Sequence, residues 1–303
     1  MDIVKTDSIL PDTTLITVCT AGYLPFILNL HASLEQIGLG GELVVYTPDP
    51  SVQQMLSARG IRAEVFGRNS YNKWTNFGES GWCETMAYKY AVAAEILKTG
   101  KKVFFVDGDI VFLRNPGEHL KLILETTTAP LIMQFESPKG VYCAGFWLAR
   151  PDPVVLELFR DIQSHLVEIK TDFSDQECLN RLGRERDIKV HALDVELFAC
   201  ANQFLGRDML DTPERIDRPS TPFPFDSAYV LHFNYLIGKK QKIQAMAKYN
   251  AIYYQGLLEA AEEKLFSWNN LSDRAHRLRR RLSRRFGLEW LKKTLLYSWP
   301  DTR

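Results

Sequence analysis

VFFVDGDIVFLRNP, residues 103–116, sets two apolar runs on either side of Asp107-Gly108-Asp109 and closes on Asn115-Pro116. It reads as strand, turn, strand. The first run is uninterrupted from Val103 to Val106, the pattern of a strand buried on both faces at the centre of a sheet. Asp107 then falls at the carboxyl edge of that strand, where open α/β sheets bind their ligands. Two carboxylates separated by one Gly can converge on a single hard cation, and Gly108 lets the backbone bend so that diphosphate oxygens come close. The chemistry indicated is metal plus diphosphate. A second reading stays open: Asp-Gly between apolar runs is also a tight-hairpin signal, with both carboxylates solvated.

Toward the N-terminus, TLITVCT (14–20) predicts a first strand, followed by Ala21-Gly22-Tyr23 and a helix over 25–37 with Phe26, Leu30 and Leu34 on one stripe. ELVVYT (42–47) predicts a second strand, 49–58 a helix opened by an Asp cap and Pro, and 61–66 a third strand. This is βαβαβ, the opening of a parallel nucleotide-binding sheet. Neither GxGxxG nor GxxxxGK[ST] occurs at the first βα turn, so the Rossmann dinucleotide fingerprint and the P-loop are excluded. The phosphates need another anchor, which returns attention to Asp107 and Asp109. Residues 69–81 hold Tyr71, Trp74 and Phe77 without a clear period and read as a loop, over a site or simply on the surface. The pattern over 84–98 is helical, with Met86, Tyr90, Ala93 and Leu97 inward. Lys89 lies in this helix as either a snorkelling surface lysine or a phosphate or sugar contact.

Toward the C-terminus, strands are expected at 130–135 and 142–148, the second with Ala144-Gly145 at its centre. Gly weakens a strand unless something must approach the backbone; substrate is one reading, a bulge or tight packing another. A helix follows over 151–167. Ser174-Asp175-Gln176-Glu177 matches a capping box opening a helix over 172–182, which also sets Asp175 and Gln176 at a helix N-terminus able to face a sugar. After short strands in 187–198 and a loop through Pro213, Pro219, Pro222 and Pro224, a strand at 228–233 carries His232 near its end. Asn234, Gly238, Lys239 and Lys240 follow. A hydrogen-bonded structural His is the plain reading, yet imidazole with two carboxylates suits Mn²⁺ or a similar borderline ion, and Lys beside Gly suits a leaving phosphate.

The chain has 303 residues, 46% hydrophobic and 24% charged, which fits a globular protein and excludes disorder. Formal net charge is zero but unevenly placed: residues 264–303 hold 11 Lys/Arg against 3 Asp/Glu, leaving 26 against 34 for the body. The five cysteines are scattered, odd in number and without CxxC spacing, so no disulfide framework or zinc site is indicated. The first residues lack the charged start and apolar core of a signal peptide, and no run approaches a membrane span. The expected location is cytoplasmic.

In the tail, 250–266 reads as helix, 268–270 as a break, and Ser272-Asp273 as the cap of a last helix to about Trp299. Leu278, Leu282, Phe286, Leu288, Leu291 and Leu295 form its apolar stripe among many Arg and Lys residues. Such a helix fits an anionic membrane surface, peripherally on the inner face, or docking onto the catalytic domain or a partner helix. Nucleic acid is a poor partner, because the body is acidic and lacks a basic groove with stacking aromatics.

The order Asp107-x-Asp109, Asp175-Gln176, then His232-x-Asn234 with Gly238-Lys239 resembles the nucleotide-diphospho-sugar transferases of glycosyltransferase family 77, and more distantly the retaining galactosyltransferases of lipopolysaccharide synthesis. TVCTAGYLPFILNL also resembles that family's opening strand and helix, and the likeness covers about residues 13–245. It implies an α/β protein of GT-A type, a Rossmann-like central mixed sheet flanked by helices, here over 1–250; the helical tail read above makes the extension over 251–303. It further implies a UDP-sugar donor, a glycan or lipid-linked acceptor, a divalent metal (usually Mn²⁺, otherwise Mg²⁺) and retention of anomeric configuration. Carried over by position, Asp107, Asp109 and His232 would bind metal, Asp107 and Gly108 would also meet the donor, and Lys239 or Lys240 would bind diphosphate. Thr20, Gly22, Tyr23 and Tyr46 would line the nucleotide pocket; Ala144, Gly145, Asn234 and Gly238 would contact donor. Lys89 matches a basic donor contact, and Asp175 and Gln176 match the region facing the anomeric carbon.

Two other classes compete. DGDIV also fits the DxDx[TV] phosphatase signature, in which the first Asp is the nucleophile, but that signature belongs on a first strand and a βαβαβ unit precedes it here. The other is a non-catalytic nucleotide- or glycan-binding protein that retains the site.

Overall fold

A computed structural model describes residues 9–67, 82–137, 140–167, 174–205, 223–236 and 238–262. The loop expected at 69–81, the prolines at 213, 219 and 222, and the helix expected over 272–299 lie outside these described residues. One compact unit runs from Met1 to Glu262; residues 263–303 form a separate unit.

Val103 to Val106 are fully buried because the strand that holds them has helices on both sides. That strand, β4 (Lys102–Val106), follows β1 (Thr13–Val18), α1 (Leu24–Gln36), β2 (Leu43–Thr47), α2 (Pro50–Ser57), β3 (Ala63–Val65) and α3 (Trp82–Lys98). Phe104 and Val106 pack with Leu15, Leu30, Leu34 and Phe146 in one core layer. Val103 and Phe105 pack with Tyr90, Trp147, Phe159 and Leu179 in the other. Burial of each Phe contributes about 1.5–3 kcal/mol, which is why an alternating pattern is absent here.

The remaining elements are β5 (Ile110–Phe112), α4 (Gly117–Thr126), β6 (Leu131–Ser137), β7 (Val141–Ala149), α5 (Pro153–Val167), α6 (Asp175–Glu185), β8 (Val190–Leu193), β9 (Phe198–Cys200), α7 (Ala201–Phe204), β10 (Val230–His232), α8 (Lys239–Lys248) and α9 (Gly256–Glu262). Seven strands form a mixed sheet in the order β3-β2-β1-β4-β7-β6-β8. β1 to β4 run parallel, β7 is antiparallel to β4 and β6, and β8 is parallel to β6. The second sheet, β5-β10-β9, has three strands.

β4 and β5 therefore belong to different sheets, and no residue from 107 to 109 has positive φ. This overturns the hairpin reading, because a type I′ turn needs positive φ at both central residues. Asp49 caps α2 by accepting the Ser51 N–H at 2.8 Å, as its place before Pro50 predicts. Three helices, α4, α7 and α8, have no counterpart in the sequence reading. α9 begins only at Gly256, not at 250. Residues 251–254 are tied to α1 instead: buried Asn29 donates to the Ala251 carbonyl at 3.0 Å and accepts from the Tyr253 and Tyr254 N–H groups.

Candidate active site

Three strand ends meet where β4 stops. Asp107 donates its N–H to the Gly145 carbonyl of β7 at 2.7 Å, which extends the β4–β7 ladder by one residue. Across the second sheet, His232 of β10 pairs with Ile110 of β5, and Phe233 donates its N–H to the Asp109 carbonyl at 3.0 Å. Asp109 and His232, far apart in sequence, are thus neighbours by register. His232 Nε2 lies 3.4 Å from Asp109 Oδ1 and 3.9 Å from Asp107 Oδ2. Asp109 and His232 are buried, whereas Asp107 keeps 31% of its side chain exposed and so opens the group to solvent.

The chemistry of this trio fits a divalent cation. Gln134 Nε2 donates to the Phe198 carbonyl at 3.1 Å, which turns its Oε1 to His232 Nδ1 at 2.9 Å. Nδ1 is therefore a donor, and Nε2 faces the carboxylates, where a metal ion would displace its proton to reach the lone pair, the arrangement a metal-ligating His takes. Nε2 is a buried atom with no hydrogen-bond partner among the described residues. Burial disfavours the imidazolium, but Cys143 and Asp109 outweigh it and hold His232 well above its usual range. The charge that draws a proton to this point would equally draw a metal ion. Ligand atoms of Asp107, Asp109 and His232 all lie within 4.8 Å of one another. Cys143 and Cys200 also approach His232, Cys143 on the Nδ1 side that Gln134 occupies.

Asp109 has a second partner that the sequence reading missed. Buried Lys242, on α8, donates to Asp109 Oδ2 and to the Phe233 carbonyl, the latter at 3.1 Å. Burial alone would raise the Asp109 carboxyl; Lys242 and His232 hold it well below the carboxylate range. For Asp107 burial dominates and raises it, with Lys89 opposing. Lys239 and Lys240 open α8 behind Gly238, whose φ of 100° suits Gly, and Lys240 is exposed. With α8 recognised, Lys242 and Met246 fall one turn apart on its buried face, which is the signal that could have found Lys242.

Two glycines mark places of close packing. A Cβ on Gly145 would stand 2.3 Å from Asp107 Oδ2 and 2.5 Å from His232 Cε1, so the site's own side chains press on this backbone, as the tight-packing reading expects. A Cβ on Gly108 would meet Ile27 at 2.7 Å and the Tyr23 ring at 3.0 Å, so packing at the turn requires glycine here. Tyr23 is thereby placed against the DGD turn; burial, then Asp109 and Asp107, raise its hydroxyl. Thr20 is buried and its carbonyl accepts the Tyr23 N–H at 2.9 Å; Gly22 lies in the same turn, beyond the carboxyl end of β1. Tyr46, on β2, meets Phe66 edge-on.

Lys89 does not snorkel. It is 1% exposed, reaches Asp175 Oδ2 at 2.5 Å and the Ala144 carbonyl at 3.0 Å, and lies 5.1 Å over the Phe105 ring. Asp175 also accepts from the Tyr90 hydroxyl at 3.2 Å. The capping box is present, with Ser174 and Glu177 bonded reciprocally. It leaves Gln176 free to turn inward, where its Oε1 accepts the Ala144 N–H at 3.2 Å and its Nε2 donates to Glu136 at 2.8 Å. Asn234 donates to the same carboxylate at 2.8 Å. Glu136 is absent from the sequence reading, although Gln134 and Glu136, two apart on one strand, must share a face.

A hollow of about 580 Å³ lined by Asp12, Lys101, Lys102, Arg150 and Asp152 lies elsewhere, at the amino ends of β1 and β4. Ligands of such sheets bind at the carboxyl ends.

A sequence profile of the family described as nucleotide-diphospho-sugar transferase matches residues 41–246. No curated protein matches the chain at a significant level. Among solved structures, the galactosyltransferase LgtC in complex with donor and acceptor sugar analogues is similar with a TM-score of 0.50 at 14% identity, over 86% of this chain and 99% of that one. The bifunctional glycosyltransferase WbbM gives 0.52 at 11% identity, over 88% of this chain and 53% of its own. The glycosyltransferase GlyE of Streptococcus pneumoniae TIGR4 gives 0.50 at 15%, over 86% and 63%. At these identities the likeness is one of fold, that of the GT-A glycosyltransferases.

Proposed function

Because the chain belongs to the nucleotide-diphospho-sugar transferase family and is a glycosyltransferase, we propose that it moves a sugar from a UDP-sugar to a glycan or glycolipid hydroxyl with retention of configuration. The observation that carries this reading is the convergence of Asp107, Asp109 and the orphaned His232 Nε2 at the carboxyl edge of the central sheet. These three residues would hold Mn²⁺ or Mg²⁺. When bound, such an ion supplies positive charge to the departing diphosphate.

The chain's own residues supply the rest of this reading. Tyr23, with Thr20 and Gly22, flanks the nucleotide beyond β1. Lys242, already beside Asp109, adds fixed positive charge where diphosphate would lie, and Lys239 opens the same helix. Asp175 is held by Lys89 and Tyr90, so its carboxylate acts as the anchor of Lys89 and not as a nucleophile. Gln176 positions the sugar, and the acceptor hydroxyl attacks from the face that UDP vacates. The neighbour solved with donor and acceptor sugar analogues supports a sugar acceptor. The basic stretch 272–299 would bring the enzyme to an anionic membrane surface at the cytoplasmic face; equal co-sedimentation with anionic and neutral vesicles would remove this part. Among the described residues no helix is long and apolar enough to cross a membrane.

The test is UDP release from UDP-glucose, UDP-galactose and UDP-xylose, with Mn²⁺ and with chelator. Release from at least one donor that stops on chelation is expected; release indifferent to chelator removes the metal. Lys242→Ala is expected to weaken UDP binding about tenfold or more, whereas Lys240→Ala, on an exposed side chain, changes it less than twofold. The reverse order would return the diphosphate contact to Lys240.

A further inference from the structure

Strand β6 turns Glu136 into the interior beside the site, where it is 3% exposed. Its partners are neutral donors from separate parts of the chain. Gln176 Nε2, from the first turn of α6, donates to Oε2 at 2.8 Å, and Tyr235 Oη donates to the same oxygen. Asn234 Nδ2 donates to Oε1 at 2.8 Å, and Cys200 Sγ approaches that oxygen at 3.9 Å. The Glu136 carbonyl in turn accepts from Asn202 Nδ2 at 2.8 Å and from Gln203 Nε2 at 3.3 Å.

A carboxylate is acceptor only, so it satisfies every one of these donors; an amide of the same shape would turn its own N–H₂ against at least one of them. The far end of each carboxamide is fixed too. Gln176 Oε1 accepts from Ala144 N–H, and Asn234 Oδ1 accepts from Ala201 N–H at 2.9 Å. Neither amide can flip without losing two bonds. Tyr235 has φ 59°, a left-handed conformation that a non-glycine residue keeps only when its surroundings hold it, and its hydroxyl ends on Glu136.

We propose that Glu136 is a positioning residue for sugar transfer: its carboxylate locks the carboxamides of Gln176 and Asn234, carried by α6 and by the loop after β10, in the single orientation that meets the sugar of the donor. This rests on the reading of Gln176 as facing the sugar. Glu136 acts through Gln176 and Asn234, so its influence falls on the sugar and leaves the UDP portion alone.

The test compares affinities for UDP, UDP-glucose, UDP-galactose and UDP-xylose, all with Mn²⁺, in the full chain and in Glu136→Gln, Gln176→Ala and the double variant. For Glu136→Gln the expected result is UDP affinity within about twofold of the parent and a shift of about fivefold or more in the ratio of UDP-sugar to UDP affinity for at least one sugar. The double variant should shift that ratio by less than the product of the two single shifts, because the Glu136–Gln176 contact is lost in both and only the Asn234 contact adds to it. A purely structural role moves UDP and UDP-sugar affinities together; a constant ratio, or effects that multiply in the double variant, overturns the proposal. Should Glu136→Gln not fold, Gln176→Ala breaks the same contact from its other end, and an unchanged ratio there is equally decisive against it. A parent protein that binds no UDP would overturn the donor reading itself, an outcome distinct from a constant ratio.

Discussion

Asp109→Asn is expected to weaken Mn²⁺ binding by about 100-fold, read from the free-ion electron paramagnetic resonance signal of a titrated sample. The size of the effect follows from the surroundings of this carboxylate. Asp109 is buried, yet Lys242 and His232 hold it well below the usual carboxylate range, so it is ionised throughout the neutral region. The Asn variant keeps the shape and an acceptor for Lys242 but removes the charge, leaving His232 and Asp107 as the remaining ligands. Asp107, whose carboxyl is raised by burial, is the weaker anion of the two. An Asn variant that binds Mn²⁺ as well as its parent would show that the ion is held elsewhere.

Lys89→Met is expected to lower stability by about 3–5 kcal/mol, because it strands a buried carboxylate. Asp175 has 7% side-chain exposure and, among the described residues, would keep only the Tyr90 hydroxyl and no cation. Burial works against the Lys89 charge, and Asp175 and then Asp107 more than restore it, so the ammonium is firmly charged in the folded state. In a domain of this size the loss corresponds to a drop in Tm of roughly 10 °C. Combining Lys89→Met with Asp175→Asn should recover much of it, since the pair leaves no uncompensated charge. Equal melting temperatures for the parent and Lys89→Met would mean that the pair is solvated in solution.

The central strand and the DGD turn were legible because a doubly buried strand leaves an unmistakable apolar run, and Asp49-Pro50 and Ser174 to Glu177 because helix caps are local chemistry. Lys89 reads from sequence as either a snorkelling lysine or a donor contact, because sequence gives one lysine no partner; the packing of α3 against α6 supplies Asp175. Glu136 and Lys242 were missed for related reasons. Glu136 sits in a strand whose polar alternation is brief, and Lys242 in a helix, α8, whose composition is mostly polar. Gly145 was singled out correctly as a close approach, but the approaching groups, Asp107 and His232, come from register across two sheets. Such register is tertiary information.

Calorimetric titration of the 303-residue chain with UDP, with and without Mn²⁺, tests the account most directly. The site described here predicts binding that is at least about tenfold tighter with Mn²⁺ than without it. Binding of equal strength in both conditions, or no binding in either, would contradict the assignment of Asp107, Asp109 and His232 to a metal-bridged nucleoside diphosphate.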